Sequence, residues 1–151
     1  MRGRFPATLA AMERSRVSSG SPFEPVVGFS RAVRVGDRVL VSGTAPVWPD
    51  GSCDPDPANQ ARRCLAIILA ALAELNGHPA DVVRTRTYLV DRNDWESIGR
   101  VHGEIFGEIR PASTMVVVAA LLDPRSKVEI EAEAMVSVAA PPGETPGRSA
   151  S

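Results

Sequence analysis

The stretch KVEIEAEAMV, residues 127–136, alternates apolar and charged positions along its length. Side chains of a β-strand point to opposite faces in turn. The pattern therefore predicts a strand with one apolar face and one face that carries Glu129, Glu131 and Glu133. A strand half exposed to water is the ordinary interpretation of such alternation. The alternative is that the acidic face borders a cleft or a subunit boundary.

The segment before the middle of the chain predicts a hairpin and then a helix. FSRAVRVGDRVLVSG alternates on both sides of Gly36-Asp37, and a glycine in first position suits a type II′ turn. Apolar residues recur at helical spacing between Pro57 and about Leu75. Asp56 before the proline is a helix-start signal, and Asn76-Gly77 is typical of a helix end.

The second half adds a strand, a helix and two more strands. DVVRTRTYLVD predicts a strand, NDWESIGRVHGEIFGEI a helix, and STMVVVAAL a strand before the acidic one. The order β-β-α-β-α-β-β indicates an α+β fold, with two helices packed on one mixed β-sheet. The other sheet face then needs water or partner subunits. On DVVRTRTYLVD, one face is predicted to carry Val83, Thr85, Thr87 and Leu89, and the other Arg84, Arg86 and Tyr88.

Composition divides the chain into three parts. Residues 1–22 are rich in Arg, Ser and Gly without a sustained period, and we expect a flexible N-terminal extension. Residues 23–139 form one folded domain, and residues 140–151 have the composition of a disordered tail. Met1 and Met12 are both possible natural starts.

Charge, hydropathy and the few cysteines and histidines exclude several kinds of partner and binding site. A net charge of −1 over 151 residues, without a basic stripe, argues against nucleic acid as a partner. No apolar run is long enough to span a bilayer, so no membrane association is expected. Cys53 and Cys64 form neither a disulfide framework nor a zinc site, which fits a cytoplasmic setting. His78 and His102 lack ligand-spaced partners, and no metal is expected.

Four motifs occur together in a recognisable order. GDRVLVSGTAP, ADVVRTRTYLVDRNDW, RPASTMV and VEIEAEAMV resemble those of the Rid family (YjgF, reactive-intermediate deaminases) over about residues 18–138. The resemblance implies a chorismate-mutase-like α+β fold and a homotrimer with small-molecule clefts at its three subunit boundaries. It also implies hydrolysis of reactive imines and enamines, such as 2-aminoacrylate, to a keto acid and ammonia. No metal or organic cofactor is implied.

The resemblance also implies a set of site residues. Phe29 falls at the mouth of the cleft, where the family usually has a tyrosine, so that hydroxyl is missing. Ser42, followed by Gly43, matches the family's serine, and Glu129 matches the first glutamate of its EIEA motif. Ser42 and Glu129 are the implied catalytic residues, with Glu129 orienting the water that attacks the imine carbon.

The motif RPASTMV departs from the family pattern. Active deaminases carry an arginine where this chain has Ser113, followed here by Thr114 and Met115. That arginine holds the substrate carboxylate, a task that suits the bidentate geometry of guanidinium. We therefore expect a subgroup without the anchoring arginine, with weak or absent activity on 2-aminoacrylate. Arg86 and Arg110 are the candidate substitute anchors.

Several residues have two interpretations. Arg84 and Arg86 are either counter-charges of the glutamate row or, in the case of Arg86, a ligand contact. Trp95 either packs at the start of its helix or lines the cleft. At the level of the whole protein, an imine hydrolase stands beside a non-catalytic small-ligand-binding trimer and a holdase-like or nuclease role. The near-neutral charge argues against the nuclease.

Overall fold

One six-stranded mixed sheet organises the fold of the computed structural model, which describes residues 13–138. The strands are β1 (Arg14–Val17), β2 (Ala32–Val35), β3 (Arg38–Thr44), β4 (Val82–Leu89), β5 (Ala112–Val117) and β6 (Val128–Met135). Their spatial order is β1-β2-β3-β6-β4-β5, antiparallel throughout except for the parallel pair β4 and β5. This confirms the predicted α+β fold with a mixed sheet.

Two helices cover one face of this sheet: α1 (Pro57–Glu74) and α2 (Trp95–Phe106). The Asp56 side chain accepts a hydrogen bond from the backbone N–H of Asn59 at 2.9 Å, so α1 begins as the sequence predicted. Asn76 ends α1 with a φ of 63°, a left-handed conformation that asparagine tolerates.

The hydrophobic core fills the space between the helices and the covered sheet face. Apolar side chains of both helices meet alternate residues of the central strands, since a strand turns every second side chain to the same face. The largest fully buried apolar side chains are Phe106, Leu65, Ile68, Leu72, Leu89, Ile98 and Ile130.

Two local expectations were wrong. Strand β1 and the turn that follows it lie inside the segment expected to be flexible. β1 pairs with β2, and Glu24 accepts hydrogen bonds from Ser18 and Ser19. Four residues without alternation gave no strand signal, because β1 exists through its pairing. The expectations for residues 1–12 and the tail at 140–151 fall outside the described residues.

The second correction concerns the start of β4. Val83 was predicted to share the core face, but its side chain is 44% exposed, and Val82 is buried instead. The pairing of β4 with β6 shifts register between Val82 and Arg84, and such an irregularity reverses the alternation locally. Beyond it, Thr85, Thr87 and Leu89 are buried, as predicted.

Neither α1 nor α2 covers the second face of the sheet, which carries Glu129, Glu131 and Glu133; we call it the open face. Exposed apolar side chains lie in the segment 23–29 and on strands β3 and β5. They include Phe23, Val26, Val27, Leu40, Val116 and Val117. Leu40 and Val116 share the open face with Glu133 and Tyr88, whereas Val117 is paired with the buried Leu89.

No helix in the described part of the chain combines the length and apolar character needed to cross a membrane.

Candidate functional site

The glutamate row of β6 lies on the open face, where each member faces a residue of β4. Glu129 is opposite Tyr88, Glu131 opposite Arg86, and Glu133 opposite Arg84. Alternate residues of β6 are buried, so the predicted division into an apolar and an acidic face is confirmed.

Two of the three glutamates belong to an ion-pair cluster. Arg86 Nη1 donates to carboxylate oxygens of Glu131 and Glu133, each at 3.1 Å. Arg38 Nη2 donates to the other oxygen of Glu133 at 3.1 Å, and the Tyr88 hydroxyl donates to Glu131 at 2.9 Å. The ion-pair interpretation of Arg86 is therefore confirmed.

Arg84 does not take part in that cluster. It was predicted to share the role of counter-charge, yet within residues 13–138 it makes no ion pair, although it lies opposite Glu133. Arg38 supplies the second positive charge from β3, which also neighbours β6.

Glu129 differs from the other two glutamates in its partners. All three are half-buried, but the carboxylate of Glu129 makes no hydrogen bond or ion pair with any described residue. Burial raises the pKa of Glu129, partly opposed by the positive charge of Arg31 and reinforced by the negative charge of Glu131. A carboxyl group that holds its proton more tightly and is not paired is suited to proton transfer.

Gly43 makes room for this carboxylate. β3 is irregular between Val41 and Thr44 where it pairs with β6. A Cβ atom at Gly43 would collide with Oε1 of Glu129, so a glycine is required for the observed position. The resemblance paired Gly43 with the site, and the structure brings the two residues into contact.

Ser42 and Phe29 lie near Gly43 but line a different cavity from Glu129. The Ser42 hydroxyl donates to the carbonyl of Ser30 at 2.7 Å, which ties β3 to the segment that carries Phe29. Phe29 and Ser42 line a cavity of about 710 Å³ together with Arg86. The hydroxyl proton of Ser42 is thus engaged with the backbone in this structure.

Arg31 is a charged residue near the site that the sequence analysis missed. Its Nη1 donates to the carbonyl of Gly43 at 3.1 Å and to the Thr44 hydroxyl at 2.8 Å. Burial lowers the pKa of Arg31, while the negative charges of Glu24 and Glu129 oppose that shift. The signal in the sequence was an arginine directly after Phe29 and Ser30. Nothing in a sequence indicates that it reaches residue 43.

The candidate residues are spread over three concavities. Glu129 and Tyr88 line a smaller cavity of about 270 Å³ beside the segment 118–122. Trp95 and Met115 line a third one, of about 680 Å³, at the β5 side of the molecule. Trp95 is 56% exposed, which favours the interpretation that it lines a cleft over the one in which it packs at the start of its helix.

Successive side chains of β5 point to opposite faces of the sheet. Ser113 is paired with the buried Thr85 of β4, and its hydroxyl accepts a hydrogen bond from Thr85 Oγ1 at 3.0 Å, on the helix-covered side. Thr114 is paired with Arg86, which belongs to the open face. In one chain, therefore, Ser113 and Glu129 lie on opposite faces of the sheet.

The two candidate substitute anchors are held elsewhere. Arg86 is occupied by two carboxylates. Arg110 follows α2 with a φ of 53°, and its Nε donates to the carbonyl of Gly107 at 3.3 Å. Neither guanidinium contacts Glu129 within residues 13–138.

The described residues contain neither a reactive thiol nor a metal-binding cluster. Cys64 is buried in α1, and burial raises the pKa of its thiol to about 12, so the thiol stays protonated at neutral pH. Cys53 is half-buried, and burial raises its pKa as well. Among the described residues, no three His, Cys, Asp or Glu side chains are grouped so that they could hold a metal ion.

The opposite pKa shifts of Glu129 and Glu133 can be measured by titration. Burial acts to raise the pKa of Glu133, but the hydrogen bonds from Arg38 and Arg86 outweigh it and lower the pKa. We expect the ¹³C signal of the Glu129 carboxyl to titrate above the ordinary pH for glutamate, and that of Glu133 below it. Glu129→Gln and Glu133→Gln would assign the two signals. A shared midpoint would contradict the proposed difference in environment.

The chain is similar in sequence and structure to proteins of one known family. A family model described as endoribonuclease L-PSP matches residues 20–136. A crystal structure of a Mycobacterium tuberculosis member of the YjgF/YER057c/UK114 family is similar with a TM-score of 0.76 and 48% identity, covering 82% of this chain and 100% of that one.

Two curated relatives extend the comparison. An uncharacterized protein of Streptomyces coelicolor is 40% identical over 120 residues, which are 79% of this chain and 90% of the relative. The 2-iminobutanoate/2-iminopropanoate deaminase of Escherichia coli is 32% identical over 112 residues, which are 71% of this chain and 86% of the enzyme.

Proposed function

Because this chain belongs to the endoribonuclease L-PSP family, also called the YjgF or Rid family, we propose that it hydrolyses a small reactive imine or enamine. The resemblance deduced from the four motifs is thereby confirmed at the level of the family. The observation that carries the proposed activity is the state of Glu129. It is the glutamate of the row that is half-buried and unpaired among the described residues, with a raised pKa.

The chemistry needs one group that can accept and return a proton. Water adds to the carbon of the C=NH group, and Glu129 accepts a proton from that water and delivers one to the nitrogen. Glu129 then takes the proton of the new hydroxyl group and passes it to the amine nitrogen as the C–N bond breaks, so that a carbonyl forms and ammonia leaves. The net reaction consumes one imine and one water and yields one keto compound and one ammonia. Gly43 keeps space for the carboxylate in each step.

The proposed site is assembled from two subunits. Glu129 and Ser113 point away from opposite faces of one sheet, so a ligand that touches both must lie between two copies of the chain. The exposed apolar side chains along β5 and in the segment 23–29 provide surface for such contacts. The open face, which neither α1 nor α2 covers, is the surface that a neighbouring copy would cover.

We expect a trimer in solution. Light scattering at micromolar concentration should give three times the 16.0 kDa mass of the chain. Replacing the exposed Val116 and Val117 of β5 by glutamate should favour the monomer, because charges are disfavoured in the buried centre of an interface. Replacing the exposed Glu96 and Arg100 of α2 by alanine is the matched control. A monomer mass for the wild type would contradict the boundary site.

The alternative hypothesis is that the protein is a trimer that binds a small ligand in the same cleft without catalysis. To distinguish a hydrolase from a binding protein, the protein is incubated with freshly generated 2-iminopropanoate, and pyruvate formation above the spontaneous rate is measured. Binding of pyruvate without any acceleration across a panel of small imines would favour the binding protein. Acceleration that depends on Glu129 would favour the hydrolase.

A further inference from the structure

A line of three polar side chains crosses the covered side of the sheet, from a helix to an exposed strand edge. His102 of α2 lies with Nε2 2.8 Å from Thr85 Oγ1, and Thr85 Oγ1 lies 3.0 Å from Ser113 Oγ. Thr85 has no exposed surface, whereas Ser113 is exposed. The line thus connects a half-buried imidazole with a hydroxyl at the surface. Ion pairing does not explain it, since all three groups can be neutral.

The direction of the hydrogen bonds follows from the number of protons. A threonine hydroxyl has one proton to donate. If Thr85 donates it to Ser113, the Thr85 oxygen accepts from His102 and Nε2 carries the imidazole proton; the reverse relay, from Ser113 through Thr85 to an unprotonated Nε2, fits the same distances and is the arrangement that the test below must exclude. Burial lowers the pKa of His102, which keeps the ring neutral at neutral pH with a single N–H.

The ring of His102 is also held by packing. Its centroid lies 4.8 Å from that of the Phe106 ring, tilted by 47°, and both belong to α2. A ring that is fixed in orientation can impose a direction on the hydroxyl that it contacts. With the proton on Nε2, Thr85 passes its own proton to Ser113, and the proton of Ser113 itself points away from the line.

We propose that His102, acting through Thr85, is a positioning residue that turns the Ser113 hydroxyl outward as a hydrogen-bond donor. Such a donor fits an oxygen acceptor on a ligand, such as a carboxylate or carbonyl. The contact between Ser113 and a ligand rests on the proposed function, whereas the tautomer of His102 does not. The neutral hydroxyl of Ser113 would then bind an oxygen acceptor at the position where active deaminases carry an arginine.

The test uses the full chain labelled with ¹⁵N-histidine. The protein has two histidines, so the exposed His78 serves as an internal control. Long-range ¹H–¹⁵N spectra at neutral pH should show His102 with its proton on Nε2. Thr85→Val removes the bridging hydroxyl with little change in volume and should give a mixture of tautomers. Thr85→Ser should restore the wild-type spectrum, and thermal melting would verify that both variants fold.

Ligand binding is a separate arm of the same experiment. Pyruvate is the probe, and its affinity should fall roughly three- to tenfold in Thr85→Val, since one neutral hydrogen bond would lose its orientation. A proton on Nδ1, or identical His102 spectra in the wild type and Thr85→Val, would overturn the inference. Absence of pyruvate binding by the wild type, with the expected tautomer and its loss in Thr85→Val, would instead count against the proposed function.

Discussion

Replacing Ser113 by arginine is expected to raise the rate of 2-iminopropanoate hydrolysis by about a hundredfold or more. Hydrogen bonds to charged groups contribute roughly 1.5–3 kcal/mol each, and about 1.4 kcal/mol corresponds to a factor of ten in rate. A guanidinium that binds the substrate carboxylate through two bonds therefore supplies such a gain. Ser113 is exposed on the edge strand β5, so the longer side chain can extend into solvent or across a subunit boundary.

Two further variants make this result specific. Ser113→Lys adds a charge without the bidentate geometry and should give a smaller gain. Ser113→Met adds length without charge and should give none. Pyruvate formation by all three variants would be compared with the wild type at equal concentration. If arginine gave no gain while the trimer was intact, the anchor would lie elsewhere, with Arg31, Arg86 and Arg110 as the residues to replace next.

Glu129→Gln is expected to lower the hydrolysis rate about a hundredfold, while Glu133→Gln leaves it nearly unchanged. General acid–base catalysis typically contributes about a hundred- to ten-thousandfold, and glutamine cannot accept the proton. Glu133 is paired with Arg38 and Arg86, and a partly exposed ion pair of this kind is worth about 1 kcal/mol. The loss at residue 129 should appear in kcat, because the amide preserves the shape of the side chain.

Stability and assembly must be measured in the same two variants. Glu129→Gln should not lower the melting temperature, because it removes a half-buried charge that makes no ion pair among the described residues. Glu133→Gln should lower it slightly. Equal, small effects of both substitutions on the rate would mean that the glutamate row is only a solvated, ion-paired face, and the proposed role of Glu129 would be wrong.

Much of the fold could be predicted because its signals are local. The alternation of β6, the capping of α1 by Asp56 and the glycine-first turn of the hairpin each depend on a few neighbouring residues. Strand β1 was missed because its four residues do not alternate and are ordered by pairing with β2. The exposure of Val83 was missed because a register shift between two strands leaves no mark in one sequence.

The candidate site was harder to predict, because it depends on which face each side chain takes in three dimensions. The pairing of Arg86 with the glutamates followed from alternation, since both strands turn charged residues to one face. The choice of Arg38 over Arg84 depends on the reach of the arginine side chain from β3 to Glu133 of β6, which alternation does not give. The separation of Ser113 from Glu129 follows from the parallel register of β4 and β5, which only the fold defines.

A crystal structure of the trimer grown with pyruvate would test the central claim most directly, namely that the site lies between subunits. Pyruvate is expected to lie beside Glu129 and Gly43 of one protomer, with a carboxylate oxygen accepting a hydrogen bond from Ser113 of a neighbouring protomer. Pyruvate held within a single protomer, for example beside Phe29 and Ser42 and away from Glu129, would contradict the claim.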